Sequence, residues 1–508
     1  MVTPPRPAPI VMAPVDCNMR VIRLNLSTVN RTLTFFLLLV TVGASLCFLR
    51  LCFKYEQSCN ENNFVQTSFS NASFLRQNLA GTIFGRVRGF GVVPPAETSD
   101  LGRFSHPRYD AVKDYQTKVV EQRRRFSCTK LFEDDRMEQD KAAVYTTLHR
   151  STFQTFPGAT VPKMVADCGA FKAIRGYRAH RGGPEEQGFP LAYIILVHSD
   201  FEHLERLLRA LYMPQHSFCI HVDAKAPEHL KSATAALAEC FENVALASEP
   251  QTIIYAHMSR LMADIVCMKD LLDLDSSWKY LINYAATEFP LRTNLETVKI
   301  LHSLQGRNDI HESFKARVKD RYKWQYEVIN GKMKATSVTL APAPHNITIT
   351  KGQAYNAYSR QFVEWALTDP KPRDLLKWSE KTYSPDEHYW GTLNNLFHNG
   401  FLNSPGGFED DPDKKGYITK FISWQYSNPR YKCHGKVVHN ICVFSSRDLP
   451  TLLNQMHLGA NKFDLTSDPI AYSCMEELLE NKTRADVPFN LAYYKNLHFV
   501  HYTKPDVI

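Results

Sequence analysis

The chain has 508 residues, of which 44% are hydrophobic, and it carries a formal net charge of +8. This length is enough for one large hydrophobic core with appended segments. The excess of lysine and arginine is small and scattered along the chain, which argues against a nucleic-acid-binding protein.

The N-terminal part predicts a membrane anchor. Residues 32–49 form an uncharged, mostly apolar run of 18 residues, the minimum for a transmembrane helix, and apolar residues continue to position 53. A buried core helix or a cleaved signal peptide are the alternatives, although a signal peptide would need a shorter apolar run and a small-residue cleavage site. Four arginines precede the run against one acidic residue, so the positive-inside rule predicts a cytosolic N-terminus and a lumenal remainder.

We therefore divide the chain into four segments. Residues 1–31 form a cytosolic tail, 32–53 the signal anchor, 54–122 a polar stem without sustained periodicity, and 123–508 the folded lumenal body. Eight cysteines fall in the body, and an even number in an oxidising compartment predicts four disulfides. Within the predicted lumenal part, sequons for N-glycosylation begin at Asn71, Asn346 and Asn481, which fits lumenal exposure.

The segment 190–223 predicts the centre of the fold. Leu191 to Val197 is an apolar run typical of a strand that is buried on both faces. An apolar pattern with helical spacing begins at Phe201 and is stopped by a proline. A second short apolar run ends at Asp223, which completes a βαβ unit. Ligands of parallel sheets bind beyond the carboxyl ends of the strands, where His198 and Asp223 lie.

The α/β pattern continues towards the C-terminus. Apolar spacing predicts further helices and strands in alternation, and these cover residues 229–240, 244–247, 259–272, 278–283 and 294–304. Residues 307–350 are polar, basic and irregular, and they are too long for an ordinary connector, so we interpret them as a binding loop.

Six motifs of the body resemble one enzyme family. LLRALYMPQ, CIHVDAKAP, WKYLIN, YSPDEHYW, WQY and ANKFD resemble, in this order, the core 2 and I-branching β-1,6-N-acetylglucosaminyltransferases. The resemblance extends from about Cys128 to Cys474. It implies a type II Golgi membrane enzyme with a GT-A-like α/β domain built on a mixed, mostly parallel sheet.

The resemblance also implies the chemistry. Such enzymes transfer N-acetylglucosamine from UDP-GlcNAc to a 6-hydroxyl of a mucin-type O-glycan, invert the sugar, and need no metal. The expected partners are the UDP-sugar donor, a glycoprotein acceptor and the Golgi membrane. By the same resemblance the donor contacts Leu196, Val197, His198, Asp223, Ala224, Lys225 and Tyr255. The implied disulfides are Cys128–Cys474, Cys168–Cys240, Cys219–Cys267 and Cys433–Cys442.

Glu387 is the candidate catalytic base. Inverting transfer is a single in-line displacement, so a carboxylate must take the proton of the attacking hydroxyl as the new bond forms. Without the resemblance, Ser384 to Glu387 fits a helix capping box, with Ser at the cap, Pro at the first helical position and Glu three residues after the cap. The resemblance assigns the family's catalytic glutamate to this position.

Two cations are implied in place of a metal at the diphosphate. Lys462 in ANKFD matches a lysine of the family, whereas His439 stands at the position of an arginine. A permanent bidentate cation is thereby replaced by a group that is only partly charged at neutral pH, which predicts either dependence on a mildly acidic lumen or impaired catalysis. The Asp-x-Asp triplets at 273–275 and 411–413 do not follow a predicted strand, and we interpret both as solvated surface.

The acceptor side rests on five positions, two of which have alternative residues. Trp424 and Tyr426 match aromatic residues that pack on sugar faces in the family, although either residue type is also common in protein cores. Lys319, with Val318 as the alternative, and Arg321 match basic acceptor contacts of the family. Either His311 or Glu312 stands at the position of the family's acidic acceptor contact.

The sequence therefore predicts a β-1,6-N-acetylglucosaminyltransferase of O-glycans. Two alternatives are kept: a related transferase with another donor or acceptor, such as a xylosyltransferase, and a catalytically silent lumenal glycan-binding protein that retains the fold.

Overall fold

The computed structural model describes residues 104, 106–153, 155–156, 158–316, 318–425, 431–485 and 487–501. The predicted tail, the predicted anchor and most of the predicted stem lie outside these residues, as do Asn71 and Tyr426. Within the described part of the chain, every helix is too short or too polar to cross a bilayer.

Five of the described strands have six to eight residues, and the others have two or three. The strands are β1 Leu191–Val197, β2 Ser217–Val222, β3 Val244–Leu246, β4 Tyr280–Ala285, β5 Phe289–Pro290, β6 Glu312–Ser313, β7 Trp324–Ile329, β8 Lys332–Thr339, β9 Lys351–Gly352, β10 Ala357–Ser359, β11 Lys420–Ile422, β12 Val437–Val438, β13 Ile441–Cys442 and β14 Gly459–Asn461.

The described α-helices surround these strands. They are α1 Asp110–Arg124, α2 Cys128–Phe132, α3 Arg136–His149, α4 Val161–Met164, α5 Cys168–Arg175, α6 Pro184–Gln187, α7 Phe201–Leu211, α8 Glu228–Ala238, α9 Met258–Leu274, α10 Asn294–Ser303, α11 Asp320–Lys323, α12 Arg360–Thr368, α13 Pro370–Ser379, α14 Tyr389–Asn394, α15 Leu396–Asn399, α16 Leu449–Leu453, α17 Pro469–Ala485, α18 Ala492–Lys495 and α19 His498–His501.

The central sheet has the strand order β10-β4-β1-β2-β3. Strands β1 to β4 are parallel, and β10 joins the edge in the antiparallel direction. This confirms the expected α/β fold with a mixed, mostly parallel sheet. Because the chain continues from β1 to β2 on one side and later places β4 on the other side, the carboxyl end of β1 is a point where the strand order reverses. Such points form ligand-binding crevices in open α/β sheets.

The two faces of the sheet bury two hydrophobic cores. Tyr193 and Ile195 of β1 belong to one core, whereas Ala192 and Ile194 belong to the other. Alternate residues of a strand point to opposite faces, so a strand between two cores must be apolar at nearly every position. This is the physical reason for the uninterrupted apolar run that predicts β1.

The folded body begins earlier than the predicted boundary at residue 123. Helix α1 lies within the segment assigned to the stem, and its Val112, Tyr115 and Val119 are buried in one of the two cores. These side chains lie at positions i, i+3 and i+7, which is helical spacing within an otherwise polar stretch. The stem prediction is therefore wrong for residues 110–122.

The segment 307–350 contains regular structure that the sequence analysis did not predict. Strands β7 and β8 pair as an antiparallel hairpin, whose turn residues Asn330 and Gly331 have φ values of 52° and 72°. Two consecutive positive φ values are typical of the tight type I′ turn, and Asn-Gly is the favoured sequence for it.

Disulfides fix several elements of the body. Each of the eight body cysteines is paired, and the pairs are Cys128–Cys474, Cys168–Cys240, Cys219–Cys267 and Cys433–Cys442. These are the pairs that the family resemblance implies. Of the two described sequon asparagines, Asn346 is exposed, whereas Asn481 is half-buried within α17.

Candidate active site

The carboxyl ends of β1 and β2 form one wall of the crevice. The Asp223 N–H donates to the Val197 carbonyl at 2.9 Å, which joins the two strand ends. The buried Asp223 carboxylate accepts from the N–H groups of Lys225 and Ile253, and this holds the following loop. His198, which directly follows Val197, is exposed. The structure thus brings together the predicted donor residues of both strands.

The same wall continues to the other predicted donor positions. Leu196 accepts a backbone hydrogen bond from Ala286, directly after β4, and Ala224 donates one to the Gln251 carbonyl. Tyr255 lies further along that second segment, and its side chain is 82% exposed. Desolvation, Tyr383 and the Glu387 carboxylate raise the pKa of Tyr255. Tyr255 therefore lies within electrostatic reach of the candidate base.

A backbone hydrogen bond connects this donor side to the candidate base. The Ser384 N–H donates to the Ala256 carbonyl at 2.8 Å. Ser384 has a φ of 49° and forms no side-chain cap, and Pro385–Glu387 is a single 3-10 turn. The capping-box alternative is therefore wrong, because Ser384 adopts a left-handed conformation instead of the extended one that a cap requires.

The Glu387 carboxylate is held by two cations. Its Oε2 lies 2.5 Å from Arg321 Nη1 and 2.8 Å from Lys351 Nζ, and its side chain is 29% exposed. Burial alone would raise the pKa of this carboxyl, but Lys351 and Arg321 outweigh burial and lower it. Glu387 is therefore ionised at neutral pH.

The residues on either side of Glu387 differ from it in character. Asp386 is buried, and burial together with the Glu387 charge raises its pKa to about 6, against the opposing effect of Arg260. Burial, Arg321 and Lys351 lower the pKa of His388 to about 3. Among these three consecutive titratable groups, Glu387 is the one with both an ionised side chain and exposure to solvent.

Lys351 is a site residue that the sequence analysis missed. It begins the two-residue strand β9, is 36 positions away from Glu387, and belongs to none of the motifs that carry the family resemblance. Arg321 was predicted as an acceptor contact and is 66 positions from Glu387. Only the tertiary structure brings both cations to the same carboxylate oxygen, so no local pattern could have indicated the cluster.

The two candidates for the acidic acceptor contact differ in accessibility. Glu312 is fully buried, and its Oε1 accepts from Asn394 Nδ2 at 2.8 Å. Burial raises the pKa of Glu312 to about 7, against the opposing charge of Lys415. His311 is half-buried, and burial followed by the charge of Lys351 lowers its pKa to about 4. Of the two, His311 is the side chain that solvent can reach.

The other basic acceptor candidates lie on the approach to α11. Lys319 and the alternative Val318 are both exposed, and Lys319 directly precedes the helix. The side chain of Arg321, two residues later, turns to Glu387. The sequence analysis predicted these positions as acceptor contacts, and it did not anticipate that Arg321 is ion-paired with Glu387.

His439 lies at the tip of a second hairpin. Strands β12 and β13 pair in the antiparallel direction, and the two residues between them, His439 and Asn440, have φ values of 54° and 63°. Both turn residues are exposed. The Cys433–Cys442 disulfide closes this segment on itself. The disulfide and the tight turn together hold His439 in a defined place.

Trp424 lies beside this hairpin. It forms an isolated antiparallel bridge with Ile441, and the adjacent Gln425 N–H donates to the Asn440 carbonyl at 2.8 Å. The Trp424 side chain is 39% exposed, which is unusual for a large aromatic group that serves only the core. The second predicted aromatic contact, Tyr426, lies outside the described residues.

Lys462 follows β14 and is bonded to the same hairpin segment. Its N–H donates to the Cys442 carbonyl, and its own carbonyl accepts from the Phe444 N–H at 2.9 Å. Its side chain is half-buried, and burial and repulsion from Lys436 lower its pKa, opposed by Asp464. Lys462 and His439 are therefore carried by neighbouring, mutually bonded segments.

The Asp-x-Asp triplets serve local structure. Asp275 closes α9 and accepts hydrogen bonds from Ser217 and Ser277. Asp413 accepts from Ser313 and from the N–H of Lys315. We expected both triplets to be solvated surface. The structure agrees only in part, because the Asp275 and Asp413 carboxylates accept these hydrogen bonds.

Comparison with known proteins gives a consistent result. The model of the Core-2/I-branching enzyme family matches residues 191–453. A human β-1,3-galactosyl-O-glycosyl-glycoprotein β-1,6-N-acetylglucosaminyltransferase is 36% identical over 367 residues, which cover 70% of this chain and 85% of that protein. The chain belongs to the Core-2/I-branching enzyme family.

Further relatives carry the same kind of name. The human enzyme numbered 3 of this type is 38% identical over 63% of this chain and 74% of its own length. The enzyme of bovine herpesvirus 4, strain LVR140, is 39% identical over 62% of this chain and 73% of its own length. The expected family and the expected class of enzyme, a glycosyltransferase, are thereby confirmed.

Among solved structures, 4-diphosphocytidyl-2C-methyl-D-erythritol synthase from Anaerococcus prevotii aligns with 44% of this chain and 100% of its own chain. The sequence identity is 12% and the TM-score is 0.21, so we base no argument on this likeness.

Proposed function

We propose that this member of the Core-2/I-branching family transfers N-acetylglucosamine from UDP-GlcNAc to a 6-hydroxyl of an O-glycan, with inversion and without a divalent metal. The observation that carries the proposal is the position of Glu387. It is ionised, partly exposed, and connected through the Ser384–Ala256 hydrogen bond to the loops at the carboxyl ends of the central strands. The names of the relatives supply the donor sugar and the linkage.

The proposed reaction is one displacement. The acceptor 6-hydroxyl gives its proton to Glu387 while its oxygen bonds to the anomeric carbon of N-acetylglucosamine. The bond from that carbon to the phosphate oxygen breaks, and UDP leaves with the electron pair. Because Arg321 and Lys351 both occupy Oε2, we assign the proton to Oε1. Attack opposite to UDP converts the α-linked sugar of the donor into a β-linked product.

The leaving diphosphate gains negative charge, and cations fixed in the protein can stabilise it. We assign this role to Lys462, assisted by the protonated form of His439. The hairpin and the strand end that carry them are bonded to each other and fixed by the Cys433–Cys442 disulfide. A prepositioned cation needs no reorganisation when the bond breaks, which is the property required of a substitute for a metal ion.

The acceptor is proposed to lie between Trp424 and the cluster around Glu387. The exposed face of Trp424 suits an apolar sugar face, and the half-buried His311 offers a polar contact within electrostatic reach of Glu387. Lys319 and Tyr426 complete the proposed acceptor side. We further propose a type II Golgi membrane location, which rests on the apolar run 32–53, its flanking arginines and the four disulfides.

One observation favours a second candidate, a glycan-binding protein with little turnover. Two cations on one carboxylate oxygen stabilise the ionised form and thereby weaken Glu387 as a base. An enzyme assay separates the two candidates. Detergent-solubilised full-length protein is incubated with Galβ1-3GalNAc-aryl and either UDP-GlcNAc or UDP-xylose, with EDTA present throughout.

We expect a β-1,6-branched product from UDP-GlcNAc alone. A product from UDP-xylose would identify the related transferase instead. Binding of the acceptor, measured by saturation-transfer NMR, without product from either donor would establish the binding protein and overturn the proposed activity. Loss of product on adding EDTA, with recovery on adding Mn²⁺, would overturn metal independence alone.

A further inference from the structure

A buried ion pair lies beneath the segment that carries Lys462. The side chains of Lys420 on β11 and Glu288 after β4 are both completely buried, and Lys420 Nζ lies 3.2 Å from Glu288 Oε2. The same Nζ lies 2.7 Å from the centre of the Tyr284 ring. At Gly459 a Cβ atom would lie 3.3 Å from Lys420 Nζ, so the small residue leaves room for the lysine.

The Glu288 carboxylate, which pairs with Lys420, also contacts Asn461, the residue before Lys462. Its Oε1 accepts a hydrogen bond from Asn461 Nδ2 at 2.7 Å, and its Oε2 accepts one from the Ala285 N–H at 3.1 Å. On the other side of Lys462, the Phe463 N–H donates to the Thr287 carbonyl at 2.8 Å. The loop after β4 therefore holds both neighbours of Lys462.

This loop also belongs to the crevice. Ala285 is the register partner of Leu196, and Ala286 donates to the Leu196 carbonyl at the carboxyl end of β1. Glu288 thus lies two residues after Ala286, at a strand end that borders the crevice. In this protein the Glu288 carboxylate is buried and pairs with Lys420, its counter-ion.

We propose that Glu288, with Lys420 as its buried counter-ion, is a positioning residue that fixes Asn461 and thereby aims Lys462 at the diphosphate of the donor. The inference rests on the proposed role of Lys462. A fixed cation stabilises a leaving group only if it is held close to the developing charge, and a displacement of about 1 Å at such a site can cost a hundredfold in rate. A charged hydrogen-bond acceptor that has its own buried cation supplies this constraint.

The test separates the diphosphate contact from general folding. Binding of UDP and of uridine to the detergent-solubilised full-length protein is measured by titration calorimetry for Asn461→Ala and Lys462→Met. Asn461→Ala removes the bond to Glu288 but leaves the ion pair intact, and Asn454→Ala, at an exposed asparagine, is the matched control. We expect Asn461→Ala to weaken UDP about tenfold, the value of one charge-assisted hydrogen bond, while uridine binding stays unchanged.

A second pair of variants separates the hydrogen bond to Asn461 from the charge of Glu288, because both variants leave Lys420 without its counter-ion and differ in the hydrogen-bond acceptor. Glu288→Gln retains an oxygen that can accept from Asn461, whereas Glu288→Ala removes it, so the glutamine should retain more of the UDP affinity than the alanine. Equal losses for UDP and uridine in Asn461→Ala would mean a merely structural role and would overturn the inference.

The inference and the proposed function fail in different ways. If Lys462→Met weakens UDP binding but Asn461→Ala does not, the positioning role is overturned and the assignment of Lys462 stands. If Lys462→Met binds UDP like the unmodified protein, the assignment of Lys462 is overturned, and the positioning role is overturned with it.

Discussion

Lys351 Nζ lies 2.8 Å from Glu387 Oε2 and shares that oxygen with Arg321. The candidate base is thus an ion-paired carboxylate, and the pairing sets its charge before any substrate is bound. Unlike a base that is activated by burial alone, Glu387 combines burial with two positive neighbours that outweigh it.

The first prediction concerns the base itself. Glu387→Gln keeps the shape of the side chain but cannot accept the proton, so we expect transfer to fall by about 10²- to 10⁴-fold while UDP binding is retained. Product formation and UDP titration on the same preparation check this. Glu380→Gln, at an exposed glutamate seven positions away, is the control and should keep its activity. Turnover by Glu387→Gln near the unmodified rate would assign the base elsewhere.

The second prediction concerns pH. Lys351 helps to lower the pKa of Glu387, so the carboxylate of the unmodified enzyme stays ionised to a lower pH. In Lys351→Met the pKa of Glu387 rises towards its ordinary value, and the acid limb of the kcat/KM profile should move to higher pH. The exposed Lys377→Met is the control. An acid limb that stays in place in Lys351→Met would show that this lysine does not tune the base.

The third prediction concerns His439. An imidazole loses its charge as the pH rises through the neutral range, whereas a guanidinium keeps it. His439→Arg should therefore raise kcat, by at most about a hundredfold, and the gain should be larger at pH 8 than at pH 6. His439→Gln, which cannot become charged, is the matched comparison and should be slower than the unmodified enzyme at pH 6. Equal rates for all three proteins at both pH values would contradict a role at the diphosphate.

The fourth prediction concerns the replacement of a metal by Lys462. We expect EDTA to leave the rate of transfer unchanged and Lys462→Met to lower kcat about a hundredfold. Added Mn²⁺ should not restore the variant. The exposed Lys414→Met controls for the loss of one positive charge. Restoration by Mn²⁺ would indicate a metal site and would contradict the assignment.

The fifth prediction concerns stability. Lys420→Met leaves the Glu288 carboxylate buried without its cation, which should lower the free energy of unfolding by about 3–5 kcal/mol. The double variant Lys420→Met/Glu288→Gln removes both charges and should recover most of that loss. Urea unfolding, followed by tryptophan fluorescence with the disulfides intact, measures the difference. Similar losses for the single and the double variant would show that packing around Tyr284, and not charge, dominates at this site.

The sequence allowed the central βαβ unit to be predicted closely. The predicted strand at Leu191–Val197 has the observed bounds, because a strand between two cores leaves an uninterrupted apolar run. Hairpin β7–β8 was missed because it lies on the surface, where polar and charged side chains hide the alternation. Its Asn330-Gly331 turn was the available signal.

The site was predictable only in part. The family resemblance made Glu387, Lys462 and His439 candidates, and these assignments stay predictions; it could not show which cations contact the Glu387 carboxylate. Lys351 is a single lysine without a motif, and its role depends on a fold that brings residues 321, 351 and 387 together. The burial of Glu312 and the accessibility of His311 likewise depend on packing that a sequence pattern does not contain.

The hydrogen bond from Ser384 to Ala256 has a kinetic consequence. This bond joins the segment that carries Tyr255 to the turn that carries Glu387, so a nucleotide bound at Tyr255, as we propose, would also act on the position of the base. We expect a compulsory sequence of substrate addition, nucleotide first, in which UDP competes with UDP-GlcNAc but not with the glycan.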